Sequence, residues 1–503
     1  MEILANLAQG FSVALAPMNL FWCFLGVFLG TIVGILPGLG PSATVALLLP
    51  LATQMSPTGG LIMLAGIYYG AKYGGSTTAI LLNVPGESAS VVTCLDGFEM
   101  ARKGRAGPAL GIAAIASFVA GTVGVLLLML IAPPVADFAL RFGPPEYFAL
   151  MALGLSMVVL LAGKSMLKAL ISMFVGLWLA TIGIDMFTDI PRYTFERIEL
   201  MDGVSFVVVA IGTFAVGEVL ANFTSQSGGQ KFEVPKGLRN LLPNWQDLKD
   251  SRFAFLNGSL VGFFVGVLPG AGSTIASFVS YGIEKAVSKH PEKFGTGAVE
   301  GVAAPEAANN SETGGALVPL LTLGIPGSGT TAILLAAFIL WGLRPGPLLI
   351  QDHPELFWGL VASMYIGNVM LLILNLPLVP LFAQILRLPA YVLYPIILGV
   401  SIVGVYSIDQ RLLDAWLVAF FGLLGYLMRK LDYPAAPLIL GIVLGDLMEN
   451  AVRQSLMMSA GDVSILYSRP LAAVMLFLTL LILIGPMFRR FSAWRLRMSE
   501  QEI

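Results

Sequence analysis

The sequence predicts an all-α polytopic membrane protein with two inverted-topology repeats, broken or re-entrant helices and roughly 12–14 membrane-embedded segments. Three observations predict this fold class. The composition is apolar: 57% of the 503 residues are hydrophobic, 12% are charged and the mean hydropathy is +0.85. A helix-breaking motif occurs twice inside apolar stretches, as GILPGLG from Gly34 to Gly40 and as GVLPGAG from Gly266 to Gly272. The basic residues cluster in a few connections.

The apolar stretches are long enough for membrane helices, which need roughly 20 apolar residues each. They lie at 14–36, 108–132, 146–163, 166–184, 203–223, 254–270, 355–383, 389–405, 410–428, 433–449 and 471–488. Residues 1–17 contain no Lys or Arg, so a cleavable signal peptide is not expected.

Cysteine, histidine and charge exclude several other classes. Cys23 and Cys94 do not suggest a disulfide framework or a cysteine metal site. His290 and His353 lie in polar connections, so neither an HExxH motif nor a histidine cluster is present. The net charge of −2 indicates no particular partner, and no nucleic-acid partner is expected.

An ordered set of motifs occurs in both halves of the chain, which chance explains poorly. The second copies follow the first by 228–246 residues, an offset that drifts as loop insertions require. The pairs are Gly34 with Gly266, Gly74-Gly75 and Pro85-Gly86 with Gly314-Gly315 and Pro326-Gly327, SMLKALISMFVG ending at Gly176 with RLLDAWLVAFFG ending at Gly422, and GEVLAN from Gly217 with GDLMEN from Gly445. A duplication of this size predicts a secondary transporter whose site lies at the repeat interface. We divide the chain into a first transmembrane repeat (1–224), a cytoplasmic linker (225–253), a second transmembrane repeat (254–455), and an extra C-terminal helix with a basic cytoplasmic tail (456–503).

The distribution of Lys and Arg predicts that the repeats are inverted. The linker and the C-terminal tail are both basic and should be cytoplasmic. One extra helix, at about 471–488, separates the second repeat from the tail, so equivalent ends of the two repeats fall on opposite faces. Arg453 and Arg469 would then lie outside, which counts against the scheme.

The broken segments are the predicted substrate site. Proline and glycine end helices, and exposed peptide groups persist in a membrane only where they line an enclosed or watery cavity. Free N–H groups at half-helix ends bind anions. The candidate substrate-binding residues are Pro37, Gly38, Gly40, Ser42, Ser76, Thr77, Thr78, Pro85, Gly86, Pro269, Gly270, Gly272, Ser273, Thr274, Pro326, Gly327, Ser328, Thr330 and Thr331. For any one of them, close helix packing is the alternative role.

Charged and amide side chains near the breaks are the predicted ion site, because charge is costly in lipid. The candidates for coupling Na⁺ or H⁺ are Asn83, Asn309, Asn310, Ser311, Glu312, Thr313 and Lys72. Lys72 and Glu312 occupy equivalent positions and could pair; the alternative places each at a membrane boundary. Neither a resident metal nor a cofactor is expected beyond the transported ion.

Two further features have open interpretations. Glu218 and Asp446 are equivalent and each follows a glycine, so each is either a coupling-ion ligand or a helix-end residue. The run DGFEMARKGRAGPAL, from Asp96 to Leu110, is expected to be a cytoplasmic amphipathic connection with a solvated face.

The motifs as a set resemble one family over nearly the whole chain: the large membrane subunit of tripartite tricarboxylate transporters (TctA-like). The resemblance rests on GILPGLGP, YYGAKYGGSTTAILLNVPGE, LDGFEMARKGRAGPAL, GVLPGAGSTIASFVSYGIEK, PEAANNSETGGALVPLLTLGIPGS and LWGLRPGP. It implies a multi-pass protein of the bacterial inner membrane that works with a small four-helix membrane subunit. It also implies ion-driven uptake of citrate or another carboxylate delivered by a periplasmic solute-binding protein.

The alternatives come from other functional classes. A stand-alone carrier or channel for small organic anions is not excluded by a duplicated architecture. An intramembrane aspartyl protease using Asp446 would need a second membrane aspartate, and Asp185 has no matching motif, so an enzyme is not expected. No GxxxxGK[ST] motif is present, which favours ion coupling over ATP hydrolysis.

Overall fold

The structure is a computed structural model that describes residues 2–36, 40–161, 165–185, 187–223, 238–270, 272–382 and 390–484. Nearly all regular structure there is helical. The helices are α1 (Glu2–Ala14), α2 (Pro17–Ile35), α3 (Pro41–Ala52), α4 (Pro57–Leu82), α5 (Val91–Arg102), α6 (Ala106–Ala139), α7 (Pro144–Leu161), α8 (Met166–Ala180), α9 (Phe206–Ala210), α10 (Gly217–Phe223), α11 (Leu238–Leu241), α12 (Trp245–Asp250), α13 (Arg252–Val267), α14 (Gly272–Val287), α15 (Glu300–Leu323), α16 (Gly329–Leu340), α17 (Leu349–Asp352), α18 (Pro354–Asn375), α19 (Val379–Phe382), α20 (Ala390–Asp409), α21 (Leu412–Lys430), α22 (Ala435–Met458), α23 (Ile465–Ser468) and α24 (Pro470–Ile484). A π-helical turn, Ile211–Val216, joins α9 to α10, and β1 (Gly183–Ile184) pairs antiparallel with β2 (Pro191–Arg192).

The helix lengths agree with an all-α polytopic membrane protein. Five described helices are long and apolar enough to cross a bilayer: α2, α6, α18, α21 and α22. Eight shorter apolar helices accompany them. Among these, α3 and α16 have 12 residues each, about 18 Å of helix against a hydrocarbon thickness of about 30 Å. Each is too short to span alone.

The chain forms two compact units, of which the first comprises 1–140 and 205–431. Within it, α2 packs along α4 through glycines on both helices. A Cβ atom on Gly30 or Gly34 would lie closer than 3.0 Å to the backbone of α4, and one on Gly70 or Gly74 equally close to α2. Small residues allow this approach, which matters in lipid because packing contacts drive helix association there.

Equivalent helices in the second half of the chain pack in the same way. Gly262 and Gly266 of α13 contact the α15 backbone at Ala308 and Glu312, and Gly315 of α15 contacts α13. The α6 helix closes the group, because its Gly124 lies against Gly314 of α15. In both helix pairs, α2 with α4 and α13 with α15, the second helix therefore lies in the interior of this unit.

The second unit comprises 141–204 and 432–503. In it α8 packs on α22, where Gly176 meets the backbone of Leu438 and Gly441. In the first unit, α21 packs on the π-helical turn, where Gly425 meets the Thr213 backbone. In sequence, α8 resembles α21, and α10 resembles α22. Each unit therefore packs a helix from the first half of the chain against a helix from the second half. The compact units thus do not coincide with the sequence halves.

Candidate functional site

A buried charge cluster lies where α4 meets α15 in the first unit. The Lys72 ammonium is 3.5 Å from Glu312 Oε2 and 3.6 Å from Glu87 Oε2. Tyr68 donates a hydrogen bond to Glu312 Oε2 (3.0 Å), and Lys72 Nζ lies 5.4 Å from the centre of the Tyr68 ring. The three charged side chains are at most 3% exposed. The predicted pairing of Lys72 with Glu312 is confirmed, and neither residue lies at a solvent boundary.

Each half of the chain has a second Pro-Gly break, at Pro85-Gly86 and at Pro326-Gly327. Both lie beside this cluster, and a helix cap follows each of them. Glu87 and Ser328 each follow a Pro-Gly pair and each cap the turn that comes next. The backbone N–H of Glu87 donates to Ser90 Oγ (3.2 Å), and that of Ser328 donates to Thr331 Oγ1 (2.8 Å). These two caps satisfy N–H groups that would otherwise be unpaired.

Within each half of the chain, the first break (the GILPGLG or GVLPGAG motif) contacts the second break. The α2 helix ends at Ile35 and α13 at Val267, as the Pro-Gly motifs predict. The Gly270 N–H donates to the Gly327 carbonyl (2.8 Å). In the first half, a Cβ atom on Gly86 would lie 2.5 Å from the Gly34 carbonyl oxygen, so these backbones touch.

Between the halves, hydroxyl pairs join each first break to the other half's second break. Ser42 Oγ lies 2.8 Å from Thr330 Oγ1, and Thr274 Oγ1 donates to Ser88 Oγ (2.8 Å). Ser42 and Thr274 are equivalent in the repeat. All four breaks therefore converge in one region of the first unit. The predicted site residues Pro37 and Gly38 lie outside the described residues.

The other predicted substrate residues divide into three groups. Ser76 and Thr77 line a small cavity together with Tyr73, Ser117 and Asn375. Capping and packing positions account for much of the rest: Gly40 precedes α3, Gly272 begins α14, and Thr78 bonds to the Gly75 carbonyl. Pro85, Pro269, Ser273 and Pro326 lie in or beside the breaks.

The predicted ion residues are only partly brought together. Asn309 donates to Glu87 Oε1 (2.6 Å) and so joins the cluster. Asn310 points instead to Ser117 Oγ (2.7 Å). The hydroxyls of Ser311 and Thr313 bond to backbone carbonyls, of Ser259 and Asn310 respectively. Asn83 is exposed and ends α4 with φ +56°.

Sequence reasoning missed two buried carboxyl groups, Glu87 and Glu306. Glu306 of α15 is fully buried and accepts hydrogen bonds of 2.5 Å from Ser76 of α4 and from Thr93 of α5. Both glutamates stand in motifs singled out for their Pro, Gly and Ser/Thr content. The missed signal was acidic residues within these apolar motifs, in a chain with only 12% charged residues.

Glu218 of α10 is buried and paired with a basic residue. It is 7% exposed and forms a 2.8 Å ion pair with Arg429 of α21.

The expectation of a solvated face for the run from Asp96 is wrong at its first residue. Asp96 has no exposed surface, and its Oδ1 accepts hydrogen bonds from the N–H groups of Gly295 (2.9 Å), Gly297 (2.7 Å) and Ala298 (2.8 Å). Tyr281 donates to its other oxygen (2.9 Å). Tertiary contact with the loop before α15 replaces water around this carboxylate, which periodicity in α5 alone does not reveal.

In the second unit, the arginines that disfavoured the topology scheme are paired. Arg453 forms a bidentate contact with Asp185 (3.1 and 2.8 Å), and Arg469 lies 3.2 Å from Glu146. Asp185 lies in the loop after α8, where it also accepts hydrogen bonds from backbone N–H groups.

Comparison with known proteins decides the family. A profile of the tripartite tricarboxylate transporter TctA family matches residues 20–440. The chain belongs to the TctA family. A relative from Agrobacterium vitis, an uncharacterized 52.8 kDa protein in the TAR-I ttuC' 3' region, is 49% identical over 479 residues, which cover 95% of this chain and 94% of the relative. An uncharacterized protein in the TAR-II ttuC' 3' region of the same organism is 46% identical over 223 residues, 44% of this TctA-family chain and 92% of that protein. No solved structure matches the chain.

Proposed function

We propose that this chain is the permease subunit of an ion-gradient-driven tripartite importer in the bacterial inner membrane. A periplasmic solute-binding protein would deliver a carboxylate, such as citrate or a related organic acid, and a small four-helix membrane subunit would complete the transporter. Membership of the TctA family supports the transporter class. The convergence of four broken segments on the Lys72 cluster is the observation that carries the proposed site.

The proposed substrate region is the space between the breaks. Ser42 with Thr330, and Thr274 with Ser88, present hydroxyl groups there, and these groups can donate to a carboxylate. The short helices α3 and α16 begin beside them, and their N-terminal dipoles favour an anion.

The test is uptake in proteoliposomes that contain this chain and the small subunit. Substrate-loaded binding protein is added on the side of the membrane that corresponds to the periplasm. Omission of either partner should abolish accumulation. Full transport by the chain alone would argue for a stand-alone carrier, and flux that does not saturate and needs no ion gradient would argue for a channel.

Substitution of the hydroxyls tests the location. Thr274→Ala and Thr330→Ala should raise the half-saturation concentration of the carboxylate or ion by roughly 5–150-fold, equivalent to about 1–3 kcal/mol for an unpaired buried polar partner. Ser455→Ala is the matched control, because this buried hydroxyl donates to the Ala451 carbonyl of its own helix, α22. Unchanged half-saturation in both test variants would remove these hydroxyls from the site.

A further inference from the structure

The Lys72 cluster contains more acidic than basic groups. Glu87 and Glu312 face one ammonium group, and the salt bridges of the described residues bring no second cation to them. With both carboxyl groups ionised, the cluster carries a net charge of −1. An uncompensated buried charge is strongly unfavourable, so the cluster is balanced by one more positive charge.

Two oxygens at this cluster have no hydrogen-bond donor among the residues that the structure describes. They are Glu312 Oε1 and Asn309 Oδ1, in residues that are each 1% exposed. Both side chains are held by their other polar atom, since Tyr68 donates to Glu312 Oε2 and Asn309 Nδ2 donates to Glu87 Oε1. Asn309 and Glu312 are three residues apart on α15, so they share one helix face. Buried acceptors without partners are rare and call for a ligand that accepts oxygen lone pairs.

We propose that Glu87, Asn309 and Glu312 form a Na⁺ site, with Lys72 as the fixed neighbouring cation. This rests on the proposed function, in which an ion gradient drives uptake. Na⁺ brings the single missing charge and coordinates several oxygens at once. A proton also brings one charge, but it joins only one donor to one acceptor. The site includes Glu87 and leaves out Asn83 and Asn310, which point elsewhere.

The test is Na⁺-dependent stabilisation of the purified full-length protein in detergent. Thermal unfolding would be measured against NaCl, with choline chloride keeping the ionic strength constant and the pH held fixed. Bound ²²Na⁺ would be counted in parallel. Wild-type protein should show saturable stabilisation by Na⁺, because a ligand that binds only the folded state raises the melting temperature. Glu312→Gln keeps the shape and the oxygen that Tyr68 contacts, and it should weaken apparent Na⁺ affinity at least tenfold.

Glu306→Gln is the matched control. Glu306 lies on the same helix and is equally buried, but its carboxyl group is held by Ser76 and Thr93 rather than by the cluster. Its Na⁺ affinity should stay near the wild-type value. If the wild type shows no Na⁺-specific stabilisation and instead responds only to pH, the site takes a proton and the proposal is wrong. Equal loss of affinity in both variants would place the ion elsewhere. Since these measurements use neither carboxylate nor partner subunits, they can succeed or fail independently of the uptake experiments.

Discussion

Replacement of Gly74 by alanine tests the packing that places α4 in the interior. The new Cβ atom would lie 2.5 Å from the Thr31 carbonyl oxygen and 2.8 Å from the Ile35 nitrogen, both in the backbone of α2. Backbone atoms cannot rotate away, so α2 would have to retreat by about 0.5 Å along a seam in which glycines pack on both sides. Overpacking of this kind costs about 1–3 kcal/mol or more, and the better helix propensity of alanine returns at most about 1 kcal/mol.

We therefore expect Gly74→Ala to lose about 2 kcal/mol and to melt roughly 2–3 °C lower in detergent. The assay is thermal unfolding of the purified protein, in which size-exclusion chromatography measures the folded protein that remains after heating. Gly40→Ala is the control, because nothing lies within 4 Å of its Cβ position and its φ of −72° suits alanine. If Gly74→Ala is as stable as Gly40→Ala, the close backbone contact between α2 and α4 does not exist as described.

Three further predictions concern charge and topology. Lys72→Met should destabilise the protein by about 3–5 kcal/mol, because two buried carboxylates lose their cation, and Lys72→Met/Glu312→Gln should recover part of the melting temperature; no recovery would argue against the pairing. In a Cys-free variant, a cysteine at Ser464 should react with an impermeant thiol reagent on intact cells and one at Ser227 should not, as inverted repeats require; labelling at Ser227 would exclude the scheme. Backbone N–H groups lower the pKa of Asp185 from 3.8 to about 2, so its ionised form stabilises the loop at neutral pH and this contribution is lost as the pH falls from about 4 to about 2. Hydrogen exchange in 181–204 should rise over that interval in the wild type and stay flat in Asp185→Asn.

Some features of the site follow from residue types alone. An acid and a base at equivalent repeat positions in an apolar chain favour pairing, since neither is tolerated unpaired in lipid, and Lys72 with Glu312 bears this out. Pro-Gly motifs remove helical hydrogen bonds wherever they occur, so the ends of α2 and α13 were predictable to within a few residues.

Other features depend on contacts between residues far apart in the chain. Asp96 looks like a solvated helix residue, yet a loop some 200 positions later surrounds its carboxylate. Asn309 and Asn310 are identical neighbours, but successive residues on a helix point about 100° apart, so one reaches Glu87 and the other Ser117.

The sequence by itself determined that the chain is apolar, that Pro-Gly motifs interrupt its helices and that it resembles one transporter family, because each of these properties depends on residue type and order. Only the tertiary structure decided that α8 packs on α22 while α21 packs on the π-helical turn, and that Glu87 and Asn309 join the Lys72 cluster. The physical reason is that helix pairing in a membrane follows from close contact between small residues. Many glycines along each helix could supply such contacts, and only the assembled chain selects among them.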